Sequence, residues 1–240
     1  MILEAGAFTW RFPKGCFYES DFFDIIYPRL QLHDPFINRI VYENPFYESE
    51  GSYERFGVTL APGDYVLDAG ANIGTFSIIA SSVVGESGKV FAFEPLKEIS
   101  DVLEENSQKN NCKNIIIENK ILGEISKEVE FFYNLESNYN AASKTLKHDG
   151  DKVVTLKQIT LDEYVSRNAI EKIDFIKADI EGAERDLLKG AEETIKKFKP
   201  RLALRTYHLP DDKEVLYDLV RKFVPEYTIK LHNKTLYAWI

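Results

Sequence analysis

From Tyr65 to the C-terminus, short apolar runs alternate with segments whose apolar residues recur at helical spacing. Val66-Leu67 stops at Asp68, Val90-Phe91-Ala92-Phe93 stops at Glu94, and the run from Ile173 to Ala178 stops at Asp179. Between the first two runs, Ile73, Phe76, Ile79, Ala80 and Val83 fall on one helical face. After the second, Leu96, Ile99, Val102 and Leu103 do the same. Strands that alternate with helices predict an α/β fold with a mainly parallel, doubly wound sheet.

The remaining elements follow from the same pattern. The first strand ends at Asp68, and its helix runs to about Val84, with Gly85 as the stop. The second strand ends at Glu94, and Leu96 to about Asn110 is a helix. Asn114 to Glu118 is a third, buried strand. Glu128 to Tyr133 and Val153 to Leu156 read as strands that could pair, with a polar loop from Asn134 to Gly150 between them. Thr160-Leu161-Asp162-Glu163 is a capping box opening a short helix. After the fourth core strand, a helix carries Leu187 and Leu188, and Glu192 to Lys199 continues or succeeds it with a solvated face. Leu202 to Thr206 is the fifth strand and Asp211 to Phe223 a helix. Tyr227 to Leu231 and Thr235 to Ile240 form a closing antiparallel pair.

Residues 1 to 60 differ. Phe8, Trp10, Phe12, Phe17, Tyr18, Phe22, Phe23, Tyr27, Phe36, Tyr42, Phe46 and Tyr47 crowd this stretch without clear periodicity. The expected organisation is an N-terminal extension over 1–60 and a ligand-binding domain over 61–240. The extension would cover a sheet edge, form a dimer contact or line an acceptor pocket with aromatic faces.

The chemistry concentrates where strands end, since open parallel sheets bind ligands beyond their carboxyl ends. Asp68-Ala69-Gly70-Ala71-Asn72-Ile73-Gly74 reads as strand, tight turn and helix start. Gly70 and Gly74 let the backbone approach a ligand, and the helix start offers N–H donors to an anionic group. Glu94 lies 20 residues past Gly74, where an acid can accept hydrogen bonds from ribose hydroxyls. The pair predicts an adenosine-containing cofactor. A dinucleotide fingerprint would carry a third glycine where Asn72 stands. Asp68 would repel a diphosphate but tolerate a cationic ligand such as S-adenosylmethionine. Asn72 is expected to contact that donor, and Asn119, after the third strand, to reach its adenine.

Three stretches together carry a family resemblance. Asp68 to Phe76, Phe93-Glu94-Pro95 and Ile176-Lys177-Ala178-Asp179-Ile180-Glu181-Gly182-Ala183-Glu184 resemble the FkbM-type methyltransferases, as do Lys199 to Leu204 and Tyr207-His208. The resemblance covers about Tyr53 to the C-terminus and is most specific over Lys177 to Glu184. It implies a class I, Rossmann-like sheet of seven strands, S-adenosylmethionine as cofactor, and O-methylation of a hydroxyl on a sugar, glycoconjugate or other small molecule.

Methyl transfer is chiefly positioning, helped by a base that takes the hydroxyl proton. His208 is the candidate base because a histidine titrates near neutrality. Asp179 is the alternative base, or orients the acceptor, or holds the donor's ammonium group. Glu181 opens the following turn, Lys177 reads as a strand lysine paired with an acid, and Tyr53 and Glu54 could close over the donor. Asp179, Glu181, Asp211 and Asp212 offer oxygens of the kind magnesium prefers, but no tight ligand spacing supports a metal, and none is expected. No zinc pattern exists, as Cys16 and Cys112 lie far apart.

Bulk properties narrow the partners. A chain of 240 residues fits one domain, or one with an extension, and 44% hydrophobic content suffices for a core. A formal net charge of −9 argues against nucleic acid as a default partner. Two cysteines give no disulfide framework and fit a reducing cytoplasm. No apolar run is long enough to span a bilayer. A homodimer is compatible with the aromatic extension. The competing readings are an NAD-dependent oxidoreductase on a similar sheet and a donor-binding module without catalysis. Nucleic-acid N-methylation ranks lower because Asp179-Ile180-Glu181-Gly182 lacks the paired prolines common in amino-methylating enzymes.

Overall fold

The structure, a computed structural model, describes residues 2–5, 8–11, 52–134, 143–145 and 147–240. Most of the aromatic N-terminal stretch, from Phe12 to Tyr47, and residues 135–142 and 146 of the expected loop lie outside the described residues.

A short antiparallel hairpin, β1 (Ile2–Ala5) and β2 (Phe8–Arg11), precedes the main unit. Seven strands then form one sheet: β3 (Tyr65–Ala69), β4 (Lys89–Phe93), β5 (Ile115–Glu118), β9 (Phe175–Ala178), β10 (Arg201–Arg205), β11 (Thr228–His232) and β12 (Thr235–Trp239). Their spatial order is β11-β12-β10-β9-β3-β4-β5. Six run in one direction, and β12 alone runs antiparallel, to both of its neighbours β10 and β11. The strand order reverses at β3, where the chain first winds toward β5 and then returns to β9. Such a switch point opens a crevice at the strand tips.

Among the described residues six helices connect and flank the strands: α1 (Thr75–Val84), α2 (Lys97–Lys109), α3 (Leu161–Arg167), α4 (Glu184–Lys189), α5 (Glu192–Phe198) and α6 (Asp212–Phe223). Alternate strand residues point to opposite faces, so the sheet buries two cores. On one face Leu67, Phe91, Ile176 and Leu202 meet Tyr164, Leu187, Ile195, Leu216 and Val220. On the other, Val66, Val90, Phe175, Ala203 and Tyr237 meet Phe76, Ala80 and Val84 of α1. Tyr53, Val58 and Leu60 belong to this second core, so the division expected at residue 61 falls inside packed chain.

Thr160 caps α3 as the capping box requires, its hydroxyl accepting from the Glu163 amide at 3.0 Å. The segment after Glu192 is a separate helix rather than a continuation. Two expectations change. The third strand is not buried: β5 is the sheet's edge, and Ile116 is 38% exposed. The two middle strands do pair, as β7 (Lys127–Tyr133) and β8 (Lys152–Ile159), but in a separate sheet with β6 (Ile121–Leu122) in the order β6-β8-β7. This small sheet contributes Ile121, Leu122 and Phe131 to the crevice beside the tip of β4. Its Ile121 and Phe131 pack with Leu96 beside the crevice.

Asn106, with Asn110 just beyond α2, joins the hairpin to the main unit. Its side-chain oxygen accepts from the Arg11 amide at 2.6 Å, and its amide donates to the Ile73 carbonyl at 2.9 Å. A fully buried side chain thereby fixes the turn after β3.

Candidate active site at the strand tips

The crevice encloses about 670 Å³, counting its open mouth. Gly70 and Asn72 come to it from the tip of β3, Glu94 and Pro95 from β4, and Asp179, Ile180 and Glu181 from β9. Phe93, Ile121, Leu122 and Phe131 make an apolar wall, and Lys144 closes one side.

The turn after β3 explains the glycines. Gly70 has φ +76°, and a Cβ there would stand 1.9 Å from the Asp179 carbonyl oxygen. Only glycine lets β3 and β9 approach so closely at the tip. Asn72 also takes a positive φ of 49°, with its side-chain oxygen accepting from the Ile73 amide at 2.7 Å. Its backbone amide donates to Glu94 Oε2 at 3.0 Å, and the Leu96 amide donates to Oε1 at 3.0 Å. Gly74 is a different case. It caps α1 in the left-handed region, and a Cβ would meet Leu103 at 2.9 Å, but it does not line the crevice. It shapes the turn and packs α1 on α2 rather than touching the ligand volume.

Asp68 does not face the crevice. It is fully buried, its Oδ1 lies 2.9 Å from Lys177 Nζ, and Ser77 donates to its Oδ2 at 2.6 Å. Asp68 and Lys177 are register partners on adjacent parallel strands, which places the pair inside the sheet. Lys177 Nζ also donates to the Gly70 carbonyl at 2.7 Å, so the ion pair holds the turn from beneath. Buried and paired with Lys177, Asp68 would not repel a diphosphate, contrary to the expectation from the sequence. Asn119 is likewise outside the crevice. Its amide donates to the Glu94 carbonyl (3.0 Å) and the Ser100 hydroxyl (2.6 Å), tying β4 to α2.

Glu94 and Asp179 line the crevice in contrasting electrostatic states. Burial pushes the Glu94 carboxyl up to about 7, against the pull of the Leu96 and Asn72 amides and of Lys177. Burial also opposes ionisation of Asp179, but there the Arg205 guanidinium, Lys177, His208 and the Tyr53 hydroxyl outweigh it and hold the carboxyl below its usual range. Tyr53 donates to Asp179 Oδ2 at 2.6 Å, and Arg205 Nε lies 3.6 Å from the same oxygen. Tyr53 thus closes on Asp179, whereas Glu54 turns away to accept from the Leu60 amide at 2.7 Å.

His208 is not placed as a general base. Its side chain is 3% exposed and does not line the crevice. Nδ1 lies 3.0 Å from Glu184 Oε1, and Nε2 lies 3.5 Å from both Asp179 Oδ1 and Glu181 Oε2. Burial disfavours the imidazolium, yet the three carboxylates prevail and raise the group to about 9. A histidine already protonated at neutral pH cannot accept the hydroxyl proton.

Three contributors went unread in the sequence. Glu184 is fully buried and accepts from the amides of Ile180 (2.8 Å) and Gly182 (3.1 Å), so it folds the turn that carries Asp179 and Glu181. Its place in the Lys177–Glu184 stretch was the available signal. Arg205 ends an apolar strand at 2% exposure, and a buried arginine at a strand tip is a recognisable sign of a paired carboxylate. Lys144 bonds Asp186 (2.8 Å) and Gln158 (2.7 Å) from within a polar loop and gave no signal. Asp211 and Asp212, considered as oxygen ligands, instead bind Arg185.

A family model described as the Methyltransferase FkbM domain matches residues 68–231. The chain belongs to the FkbM methyltransferase family. Hexuronic acid methyltransferase AglP of Haloferax volcanii is 34% identical over 128 residues, covering 53% of this chain and 49% of that protein. The 31-O-demethyl-FK506 methyltransferase FkbM of Streptomyces tacrolimicus is 26% identical over 169 residues, covering 59% and 64%. The chain spans about half the length of the first relative and under two thirds of the second. A solved structure of a methyltransferase FkbM from Methylobacillus flagellatus KT superposes with a TM-score of 0.59 at 23% identity, over 78% of this chain and 46% of that one, which shows the shared fold. S-adenosylmethionine is the cofactor that goes with this family. The crevice suits it chemically: a buried carboxylate for hydroxyl donors, an apolar wall for a flat base, and a second, firmly ionised carboxylate.

Proposed function

We propose that this FkbM-family chain transfers a methyl group from S-adenosylmethionine to a hydroxyl of a sugar or another small molecule. The observation that carries the reading is the pair of carboxylates, Glu94 and Asp179, in one crevice at the sheet's switch point, opposite the apolar wall of Phe93, Ile121, Leu122 and Phe131. The activities for which the relatives are named, on a hexuronic acid and on 31-O-demethyl-FK506, support oxygen as the atom methylated.

The cofactor would supply an electrophilic methyl group on a sulfonium. Glu94 would accept the ribose hydroxyls, while Gly70 and Asn72 present backbone to the donor. Asp179 would orient the cationic end or the acceptor, kept ionised by Arg205 and aimed by Tyr53. The acceptor oxygen would bond to the methyl carbon as the carbon–sulfur bond breaks, the electron pair of that bond staying on sulfur and the hydroxyl proton passing to solvent water. The reading assigns His208 no part in that proton transfer, since three carboxylates favour its charged form.

Calorimetry with S-adenosylmethionine, followed by mass spectrometry of a panel of uronic acids and other hydroxyl acceptors, tests the reading. Binding with a methylated product is expected. A folded protein that does not bind the donor removes the proposal, and binding without turnover on any acceptor returns the chain to a donor-binding module. No described helix is long and apolar enough to cross a membrane.

A further inference from the structure

We infer that His208 is a positioning residue for Asp179: its ring, carrying hydrogen on both nitrogens, latches the crevice carboxylate to the buried Glu184 that folds the turn after β9. The side chain is 3% exposed. Nδ1 lies 3.0 Å from Glu184 Oε1, and Nε2 lies 3.5 Å from both Asp179 Oδ1 and Glu181 Oε2. Both oxygens of Glu184 already accept backbone amides, from Ile180 and from Gly182. Asp179 likewise accepts from Tyr53 through Oδ2. The ring therefore stands between groups that act as acceptors. A neutral imidazole has one donor and one lone pair, and either tautomer would set that lone pair against a carboxylate. Only the imidazolium offers hydrogen to both sides.

The charged and titratable groups around the ring agree with that state. The turn after β9 presents Asp179 and Glu181, and α4 presents Glu184. Beside it in the chain, the Tyr207 ring lies 4.2 Å away between centroids, with Lys234 of the β11–β12 turn 5.1 Å from the Tyr207 ring centre. Arg205 and Tyr53 meet Asp179 on its other oxygen, and Lys177 is matched by Asp68. Arg185 of α4 is engaged by Asp211 and Asp212. Burial disfavours the imidazolium, yet Glu184, Asp179 and Glu181 raise the group to about 9.

An oxygen of Asp179, an oxygen of Glu184 and a ring nitrogen of His208 lie within 4.8 Å of one another. Carboxylates so close disfavour each other's ionisation unless a cation stands between them. Once the ring loses its charge, either Asp179 gains a proton or the turn opens, and both take a fixed, ionised carboxylate from the crevice. The effect on the donor rests on the methyl-transfer reading, in which Asp179 orients the cationic end or the acceptor; the latch itself does not. Simple repulsion between the imidazolium and a cationic donor would act in the opposite sense, tightening binding when His208 is removed. The sign of the effect therefore separates the two.

Calorimetry with S-adenosylmethionine on the full chain and on His208→Gln, from about pH 7.5 to about pH 10, is the test. The ratio of the two affinities cancels the donor's own titration. It should favour wild type at least about tenfold at the lower pH and fall toward one at the upper, as the ring discharges. Equal or tighter donor binding by folded His208→Gln at the lower pH overturns the inference, and so does a ratio that stays constant with pH. Two measurements need no donor. The imidazole resonance that His208→Gln lacks should titrate near pH 9 in wild type, and a midpoint below about 7 overturns the inference without any variant having to fold well. Amide exchange at Ile180 and Gly182 should be faster in His208→Gln, and unchanged exchange there overturns the latch. A folded wild type that does not bind the donor sinks the methyl-transfer reading instead, while a ring titrating near pH 9 with faster exchange in the variant upholds the latch.

Discussion

Glu94 offers the sharpest test because its environment makes opposite demands with and without a ligand. Its ordinary value of 4.5 is raised to about 7, chiefly by burial. At about 1.4 kcal/mol per pH unit, ionising it in the folded chain costs about 3 kcal/mol more than in the unfolded one. The sign follows from the direction. A carboxyl raised on folding contributes stability below its unfolded value, and that contribution is lost as pH rises toward about 7. Glu94→Gln removes the titration but also one acceptor, because both oxygens receive backbone amides. Leaving an amide unsatisfied costs about 1–3 kcal/mol at every pH. The variant should therefore be less stable than wild type at pH 5 and should draw level or move ahead by pH 8. Urea unfolding of both proteins across that range measures the difference. A difference that stays constant with pH would refute the reasoning.

The same carboxylate governs the donor. Ribose hydroxyls donate to it, so binding favours the ionised form and should expel a proton at pH 6. Affinity for S-adenosylmethionine should then fall about tenfold between pH 8 and pH 6. Glu94→Gln should lose about ten- to hundredfold at pH 8, since hydrogen bonds to a charged group are worth about 1.5–3 kcal/mol each. Calorimetry in buffers of different ionisation enthalpy counts the protons. Pronounced loss of affinity without loss of stability separates a ligand contact from a structural one.

Other substitutions probe the frame around the crevice. Gly70→Ala should lower stability by more than about 2 kcal/mol and abolish donor binding, because the methyl group collides with the Asp179 carbonyl and the backbone is left-handed; a thermal midpoint equal to wild type would contradict this. Lys177→Met should cost about 3–5 kcal/mol by leaving Asp68 buried and unpaired, and Asp68→Asn in the same chain should recover part of it; chemical denaturation of the four proteins gives the coupling. Glu184→Ala should unlatch the turn carrying Asp179 and Glu181, which proteolysis or amide exchange at Ile180 and Gly182 would detect as faster opening.

The sheet was legible because its strands and helices obey their periodicities: every core strand from β3 to β12 stands within a few residues of its expected place. β6 escaped notice because two apolar residues are too short to show a period. The site was legible only by position. Strand ends point to the residues near the crevice, but the sequence does not tell which of two neighbouring side chains turns inward. Asp68 and Lys177 each carry a charge, and their mutual neutralisation depends on register between strands that are more than a hundred positions apart. Asn119 is one residue off the crevice lining, where Lys120 stands instead. His208 had the right residue type for a base, and only the convergence of three carboxylates from another loop changes its protonation.

The two lining carboxylates show why environment, rather than residue type, divides the labour here. Glu94 has only uncharged amides as direct partners, so burial dominates and it stays ready to gain hydrogen-bond donors. Asp179 sits among a guanidinium, an imidazole and a phenol, which hold its carboxyl below the usual range despite burial. Neutral donors such as hydroxyls are best met by the first and cations by the second. Two acids with opposed shifts at one switch point therefore distinguish the two ends of an elongated ligand. Exchanging the surroundings should exchange the roles: Arg205→Met, with Tyr53 kept, should raise the Asp179 carboxyl and weaken the donor's charged end, while the Glu94-dependent proton release on binding stays as in wild type.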